Sequence, residues 1–339
     1  MKKILSIDGG GIRGIIPGQI LIALEKKLQE RKNDPNARIA DFFDFFAGTS
    51  TGGILTCILL CPSLTDPTKA RFSAKEAVDL YIQNGDKIFK TSWWKSKSSA
   101  FWKDKYATTG INDCLSEYFG DLKISQLLKP CIITSYDISR RETKFFAQHD
   151  YKLEGDKADF YVKDVCRATS AAPTYFEPEL IKSIDGVSYP CVDGGVFANN
   201  PTLCAYSEVR NAKDAPTAAD MFVVSLGTGS QMQGYPYKKA KNWGQLFWVK
   251  PVIDIMMSGA AEVTDYHMNK MFAARNNLQN YVRVQPANLR DADPQMDNAS
   301  KENIQALIEL GIETAENCPD LDKIVDMLMQ GPDPVEFVK

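Results

Sequence analysis

A single serine set among glycines, Gly48-Thr49-Ser50-Thr51-Gly52, constrains this chain more than any other stretch. An apolar, aromatic run precedes it (Phe42, Phe43, Phe45, Phe46, Ala47) and reads as a buried strand. A second apolar run follows it (Ile54, Leu55, Cys57, Ile58, Leu59, Leu60) and reads as a buried helix. A serine on a tight strand-to-helix turn needs small neighbours, because the turn presses flanking side chains together. Gly48, Gly52 and Gly53 leave that space. The helix start beneath the serine exposes free backbone N–H groups, so negative charge forming near Oγ would be stabilised there. The pattern predicts an activated nucleophile, against the plainer reading of a glycine-rich turn.

Strands and helices alternate around that turn. Lys3-Ile4-Leu5-Ser6-Ile7 reads as a short strand ending at Asp8, and Pro17 opens a helix with Ile20, Leu21, Leu24 and Leu28 on one face. Further strands are expected at 131–136, 144–147 and 221–226, and further helices at 75–83, 162–169, 252–272, 301–316 and 320–329. Interleaving of this kind predicts an α/β fold with a mostly parallel central sheet covered on both faces. Without repeats or a Pro/Gly-rich linker, one catalytic domain over residues 1–339 is expected. Its motifs lie within 4–229, and 230–339 forms a helical C-terminal elaboration.

Composition excludes several classes. A net charge of −3 lacks the basicity of a protein dedicated to a nucleic-acid polymer. The apolar run from Ile54 to Leu60 is far short of the roughly 20 residues a membrane span needs. Asp8 and Arg13 interrupt what would be a signal segment after Met1-Lys2-Lys3, so a cytoplasmic location is expected. The 8 cysteines are scattered without a C-x-x-C pair and read as free thiols in a reducing compartment. His149 and His267 show no ligand spacing, so no metal is expected.

Two more glycine-rich turns follow strands. In Asp8-Gly9-Gly10-Gly11-Ile12-Arg13-Gly14 the glycines let several N–H groups converge on one spot, which suits an oxyanion. The same residues match G-x-G-x-x-G, the dinucleotide loop. That alternative needs an acidic residue ending the next strand about 20 residues on, where this chain is helical and highly charged. The other turn is Asp193-Gly194-Gly195, followed by Asn199-Asn200-Pro201. A D-G-G sequence often only caps a turn. A serine nucleophile needs a base, however, and this chain has 2 histidines. His267 completes a formal Ser–Asp–His order but falls inside a predicted helix, so a Ser50–Asp193 dyad is the preferred reading over a triad.

Taken in order, the motifs resemble those of the patatin-like phospholipases, lipid acyl hydrolases with a Ser–Asp dyad. They are Ser6 to Gly14, Gly48 to Gly53, Ala168-Thr169-Ser170-Ala171-Ala172-Pro173-Thr174-Tyr175-Phe176, Asp193 to Pro201 and Ser225-Leu226-Gly227-Thr228-Gly229. The resemblance, to the bacterial type of the family, implies a three-layer α/β/α fold and no cofactor. It makes Ser50 the nucleophile and Asp193 the base, with Gly10 and Gly11 supplying oxyanion-hole donors and the Thr51 N–H helping. Gly9, Arg13, Gly14, Gly48, Gly52, Gly194 and Gly195 support the motifs, and Arg13 either fixes its loop or attracts phosphate. Membrane phospholipids are the implied substrate. Some bacterial members similar to this chain are membrane-degrading antiphage effectors switched on by a cyclic nucleotide, which is the alternative reading. A catalytically inactive storage or scaffold protein is a further one, and a homo-oligomer stays open.

All 5 tryptophans fall in two basic segments. Trp93, Trp94 and Trp102 lie among lysines in 90–105; Trp243 and Trp248 lie among lysines in 238–250. Aromatics interleaved with lysines suit the headgroup zone of a bilayer and predict peripheral membrane contact, with a lid or dimer surface as the alternative.

Overall fold

Strand side chains point alternately to the two faces of a sheet, and the central strands of this chain are apolar on both. The computed structural model describes residues 1–88, 109–229 and 234–337. Its strands are β1 (Lys2–Ile7), β2 (Phe45–Thr49), β3 (Cys131–Asp137), β4 (Glu142–Ala147), β5 (Glu179–Lys182), β6 (Ser188–Asp193), β7 (Met221–Leu226) and β8 (Tyr281–Val284). Its α-helices are α1 (Ile15–Lys32), α2 (Thr51–Leu59), α3 (Ala74–Ile88), α4 (Thr109–Phe119), α5 (Tyr151–Glu154), α6 (Val162–Thr169), α7 (Gly195–Ala198), α8 (Thr202–Arg210), α9 (Tyr237–Ala240), α10 (Gln245–Ala274), α11 (Lys301–Glu316) and α12 (Leu321–Leu328).

The sheet runs in the order β5-β6-β3-β2-β1-β7-β8, with β4 paired to β3 off this path. From β3 through β2, β1 and β7 to β8 all neighbours are parallel. At the other end β4 and β6 run antiparallel to β3, and β5 antiparallel to β6. Leu5, Ile7, Phe46, Ile133, Phe222 and Val224 enter one core, under α1–α4, α6, α11 and α12. Ile4, Phe45, Ala47, Ile132 and Val223 enter the opposite core, under α8 and α10. Each such side chain contributes roughly 1.5–3 kcal/mol on burial, so the strict alternation holds the three layers in register.

Several features depart from the sequence reading, α4 and α8 among the helices it did not expect. β5 and β8 were not expected: β5 alternates exposed and more buried residues without an apolar run, and β8 carries Arg283 inside one. Residues after Gly229 therefore add a strand to the sheet as well as helices. Helix α10 starts at Gln245, not after Pro251, and holds that proline inside. The carbonyl left without an N–H donor belongs to Phe247, which is 73% exposed, so water can supply the bond.

Candidate active site

The edge of β3 explains how two distant residues meet. Along one edge, Ile132–Asp137 pair with β4. The other edge is shared: β2 covers it up to Thr49 opposite Thr134, and β6 covers it from Asp193 opposite Ser135. Because β2 runs parallel to β3 and β6 antiparallel, their C-terminal ends arrive at the same point from opposite directions. Ser50 leaves one end and Asp193 closes the other.

Ser50 adopts φ 53° and ψ −122° at the start of α2. A positive φ at a residue bearing Cβ costs on the order of 1–3 kcal/mol and persists only where neighbours over-determine it. Here the Ser50 N–H donates to Thr169 Oγ1 (2.8 Å), and that hydroxyl donates to the Thr134 carbonyl (2.6 Å). The Thr49 hydroxyl donates to the Ala198 carbonyl at 2.6 Å. A Cβ at Gly52 would collide with the Ile7 carbonyl, so the turn closes against β1 only with glycine there. Gly48 and Gly53 pack on the same turn, and Gly14 faces Thr51.

Asp193 is 2% exposed. Its N–H donates to the Ala171 carbonyl (3.0 Å), and its Oδ1 accepts from the Gly195 N–H (2.7 Å). Gly194 lies against Thr134. The segment Ala168 to Phe176 thus gives one bond to the nucleophile turn through Thr169 and one to the acid through Ala171, a role its sequence did not reveal. Oδ2 is buried with no hydrogen-bond partner. Burial pushes the Asp193 carboxyl up to about 6, while the nearby Ser50 hydroxyl and the Gly195 N–H pull it down. The Ser50 hydroxyl thus lies beside the carboxylate without a closed hydrogen bond, a common arrangement before substrate enters.

The first glycine-rich loop is pinned on both sides of its centre. The Gly9 N–H donates to the Asn199 carbonyl (3.0 Å), and the Ile12 N–H to the Met296 carbonyl (2.9 Å). The Thr228 hydroxyl donates to the Gly9 carbonyl (2.8 Å). Between them, the Gly10 and Gly11 N–H groups have no acceptor among the described residues, and Gly11 sits at φ 59°. Arg13 is 8% exposed, with Nε 3.4 Å from the Gly10 carbonyl.

Beneath this loop lies an ion pair that sequence reasoning missed. Arg283 on β8 donates to both Asp8 oxygens (2.9 and 2.5 Å) and to Ser225 Oγ (2.8 Å). Burial raises the Asp8 carboxyl, and Arg283 opposes that. The one available signal was an arginine in a short β-branched run, which needs a buried partner.

Ser50, Asp193, Gly11 and Thr51 line a narrow slot of about 40 Å³, whose mostly apolar walls include Ile54, Leu80, Ile111, Phe176, Met257 and Met296. His267 is not at this slot: it lies on α10, edge-on to Tyr266. His149 is buried elsewhere, stacked on Phe337 at 3.7 Å with Nε2 2.9 Å from Glu208. Neither histidine reaches Ser50. Trp243 and Trp248 pack edge-to-face at 5.1 Å beside α9, and Trp248 is 37% exposed. Trp93, Trp94 and Trp102 lie outside the described residues. Among the described residues no cluster of metal-ligating side chains occurs, and no helix is long and apolar enough to cross a membrane.

Residues 5–206 match the family model described as patatin-like phospholipase. Patatin-like protein 2 of Oryza sativa subsp. indica is 36% identical over 339 residues, covering 92% of this chain and 83% of the relative. Patatin-like protein 1 of Arabidopsis thaliana is 35% identical over 337 residues, with 92% and 80% covered. Patatin group J-1 of Solanum tuberosum is 34% identical over 328 residues, with 92% and 83% covered. A strained serine facing a buried carboxylate, in a chain whose sequence these relatives match over 92% of its length, therefore has a plain family setting: the chain belongs to the patatin-like phospholipases, and its general activity is lipid acyl hydrolysis.

Proposed function

We propose that the chain cleaves fatty-acyl esters of glycerophospholipids as a phospholipase A or lysophospholipase, through an acyl-enzyme on Ser50 with Asp193 as base. The observation that carries this reading is the open Oδ2 of a carboxylate held at a pKa of about 6, next to a serine in a strained turn. Both border a narrow slot with mostly apolar walls.

In the first half-reaction Ser50 Oγ bonds to the acyl carbon as its proton passes to Asp193 Oδ2. The carbonyl oxygen becomes an oxyanion and is received by the Gly10 and Gly11 N–H groups; losing one such donor typically costs roughly 10²–10³ in rate. The ester C–O bond breaks, and the departing lipid alkoxide takes the proton from Asp193. Water then gives a proton to Asp193 as it attacks the acyl-enzyme, Ser50 Oγ regains that proton, and the fatty acid leaves. An aspartate with an ordinary pKa would be a poor base for serine; burial brings it closer to neutrality.

On this reading residues 1–339 form one catalytic domain, since both cores draw on residues from either side of Gly229. The chain works in a reducing compartment, in keeping with 8 free cysteines. It meets the membrane peripherally through the exposed stripe Trp248, Val252, Ile255, Val263 and Tyr266 on α10, next to Lys238, Lys239 and Lys241.

Release of fatty acid from phospholipid vesicles, with and without a panel of cyclic nucleotides, tests the reading. Release by the native chain that Ser50→Ala abolishes supports it. Release only after adding a nucleotide would shift it to the gated effector. A native chain inert on both lipid and soluble ester would leave the storage or scaffold alternative.

A further inference from the structure

Beside the narrow slot lies a wider cavity of about 470 Å³, and the two share Met257 and Met296 as a common wall. The slot is apolar apart from its catalytic end, whereas this chamber is polar and charged. Asp254, Ser258, Glu262 and Asp265 line it from one face of α10, at the spacing that stacks side chains along a helix. Asp8, Arg13 and Arg283 close the side toward the sheet.

Three of the chamber's charges are already satisfied, while Glu262 and Lys270, which also line it, have no ion pair among the described residues. Arg283 is paired with Asp8, and Asp265 accepts from the Tyr281 hydroxyl at 2.6 Å. Arg13 and Asp254 are set apart by lying close to each other. Arg13 is more than nine-tenths buried, reaches the Gly10 and Gly229 carbonyls at 3.4 and 3.5 Å, and has no salt bridge among the described residues. Bonds that long are weak, so a buried guanidinium faces the chamber nearly unpaired. Asp254 accepts from the Tyr235 hydroxyl at 2.9 Å. Burial lowers the Arg13 pKa and Asp254 is close enough to oppose that, yet the two form no ion pair. Opposite charges that face one cavity without touching suit a ligand carrying the complementary charges between them.

Resting on the esterase reading above, we propose that this chamber is the headgroup subsite and selects a phosphodiester bearing an ammonium group, with the phosphate on Arg13 and the ammonium on Asp254. Arg13 touches the Gly10 carbonyl, so a phosphate on it would sit on the same loop whose glycine N–H groups face the ester. The Tyr235 ring, edge-on to Trp243 at 5.3 Å, adds an aromatic neighbour of the kind that attracts ammonium groups. A headgroup ending in glycerol offers Asp254 no cation and leaves that carboxylate facing a second anion.

The test compares initial rates on phosphatidylcholine and phosphatidylglycerol of identical acyl chains, each dispersed in neutral detergent micelles. The native chain should favour the choline lipid about tenfold, and Asp254→Asn should bring the ratio close to one. The ratio is internal to each preparation, so partial misfolding of the variant cancels. In a second arm, acyl-free glycerophosphocholine should inhibit hydrolysis of p-nitrophenyl butyrate more strongly than glycerophosphoglycerol does. Equal rates on the two lipids, or a preference that survives Asp254→Asn, overturns the proposal. Inhibition by glycerophosphocholine together with equal lipid rates also overturns it, by marking a site for a free small molecule. A chain that cleaves neither lipid but still cleaves the soluble ester sinks the lipid reading; one that cleaves nothing sinks the esterase reading and this proposal with it.

Discussion

Asp193 ends one strand and Ser50 directly follows the end of another, and the two strands stop head to head along one edge of β3, with Thr49 opposite Thr134 and Asp193 opposite Ser135. Neither strand could be longer without displacing the other. The site is therefore a consequence of where β2 and β6 end, and the hydrogen bonds that the Ser50 and Asp193 N–H groups donate to Thr169 Oγ1 and the Ala171 carbonyl hold those ends in place.

The acid limb of activity follows from Asp193. A base works only when ionised, and burial places this carboxyl at about 6. Below that value kcat/KM on a soluble ester should fall about tenfold per pH unit, and above it the profile should flatten. A rate that stays level from about pH 5 to 7 would remove Asp193 as the base. His267→Ala, by contrast, should leave the profile as it was.

The same burial makes Asp193 costly to the fold. Its pKa is raised above the ordinary carboxylate value, so the native state holds its proton more tightly than the unfolded chain does. Stability from this group is fully present below about pH 4 and is lost as pH rises through about 6. Asp193→Asn, which carries no charge and can point its amide at Ser50, should stabilise the protein at pH 8 by on the order of 2–3 kcal/mol while abolishing activity. Urea unfolding at pH 8 and at pH 4 checks this: the gain should shrink at the lower pH.

Arg283→Met tests the support under the glycine-rich loop. It leaves Asp8, 2% exposed, without its cation. Breaking a buried pair from one side costs about 3–5 kcal/mol, so a clear drop in the urea midpoint is expected. Adding Asp8→Asn should recover most of it, because the uncompensated charge is then gone. If the double variant were as unstable as the single one, packing rather than charge would be the cause.

Replacing Lys238, Lys239 and Lys241 with Gln should weaken binding to vesicles containing anionic lipid. Each exposed lysine near such a surface is worth about 1 kcal/mol, so the triple change should cost on the order of 10²-fold. Co-sedimentation with anionic and with neutral vesicles separates this from loss of the apolar contact; equal weakening on both would argue against an electrostatic role.

Local pattern alone specified a good deal. Near-continuous apolar runs in Lys3–Ile7, 131–136 and 221–226 made the central strands legible, since burial on both faces of a sheet leaves that trace in any stretch of chain. The glycines around Ser50, Gly10 and Asp193 marked three turns where the backbone has to come close to something. What they come close to was decided by tertiary structure. Strand order is a long-range property, so no local pattern could show that β6 meets the end of β2, or that Arg283 on an unforeseen strand lies under Asp8. A carboxyl at about 6, an unpaired Oδ2 and a buried Arg13 facing an open chamber are likewise products of burial, and burial exists only once distant segments have packed.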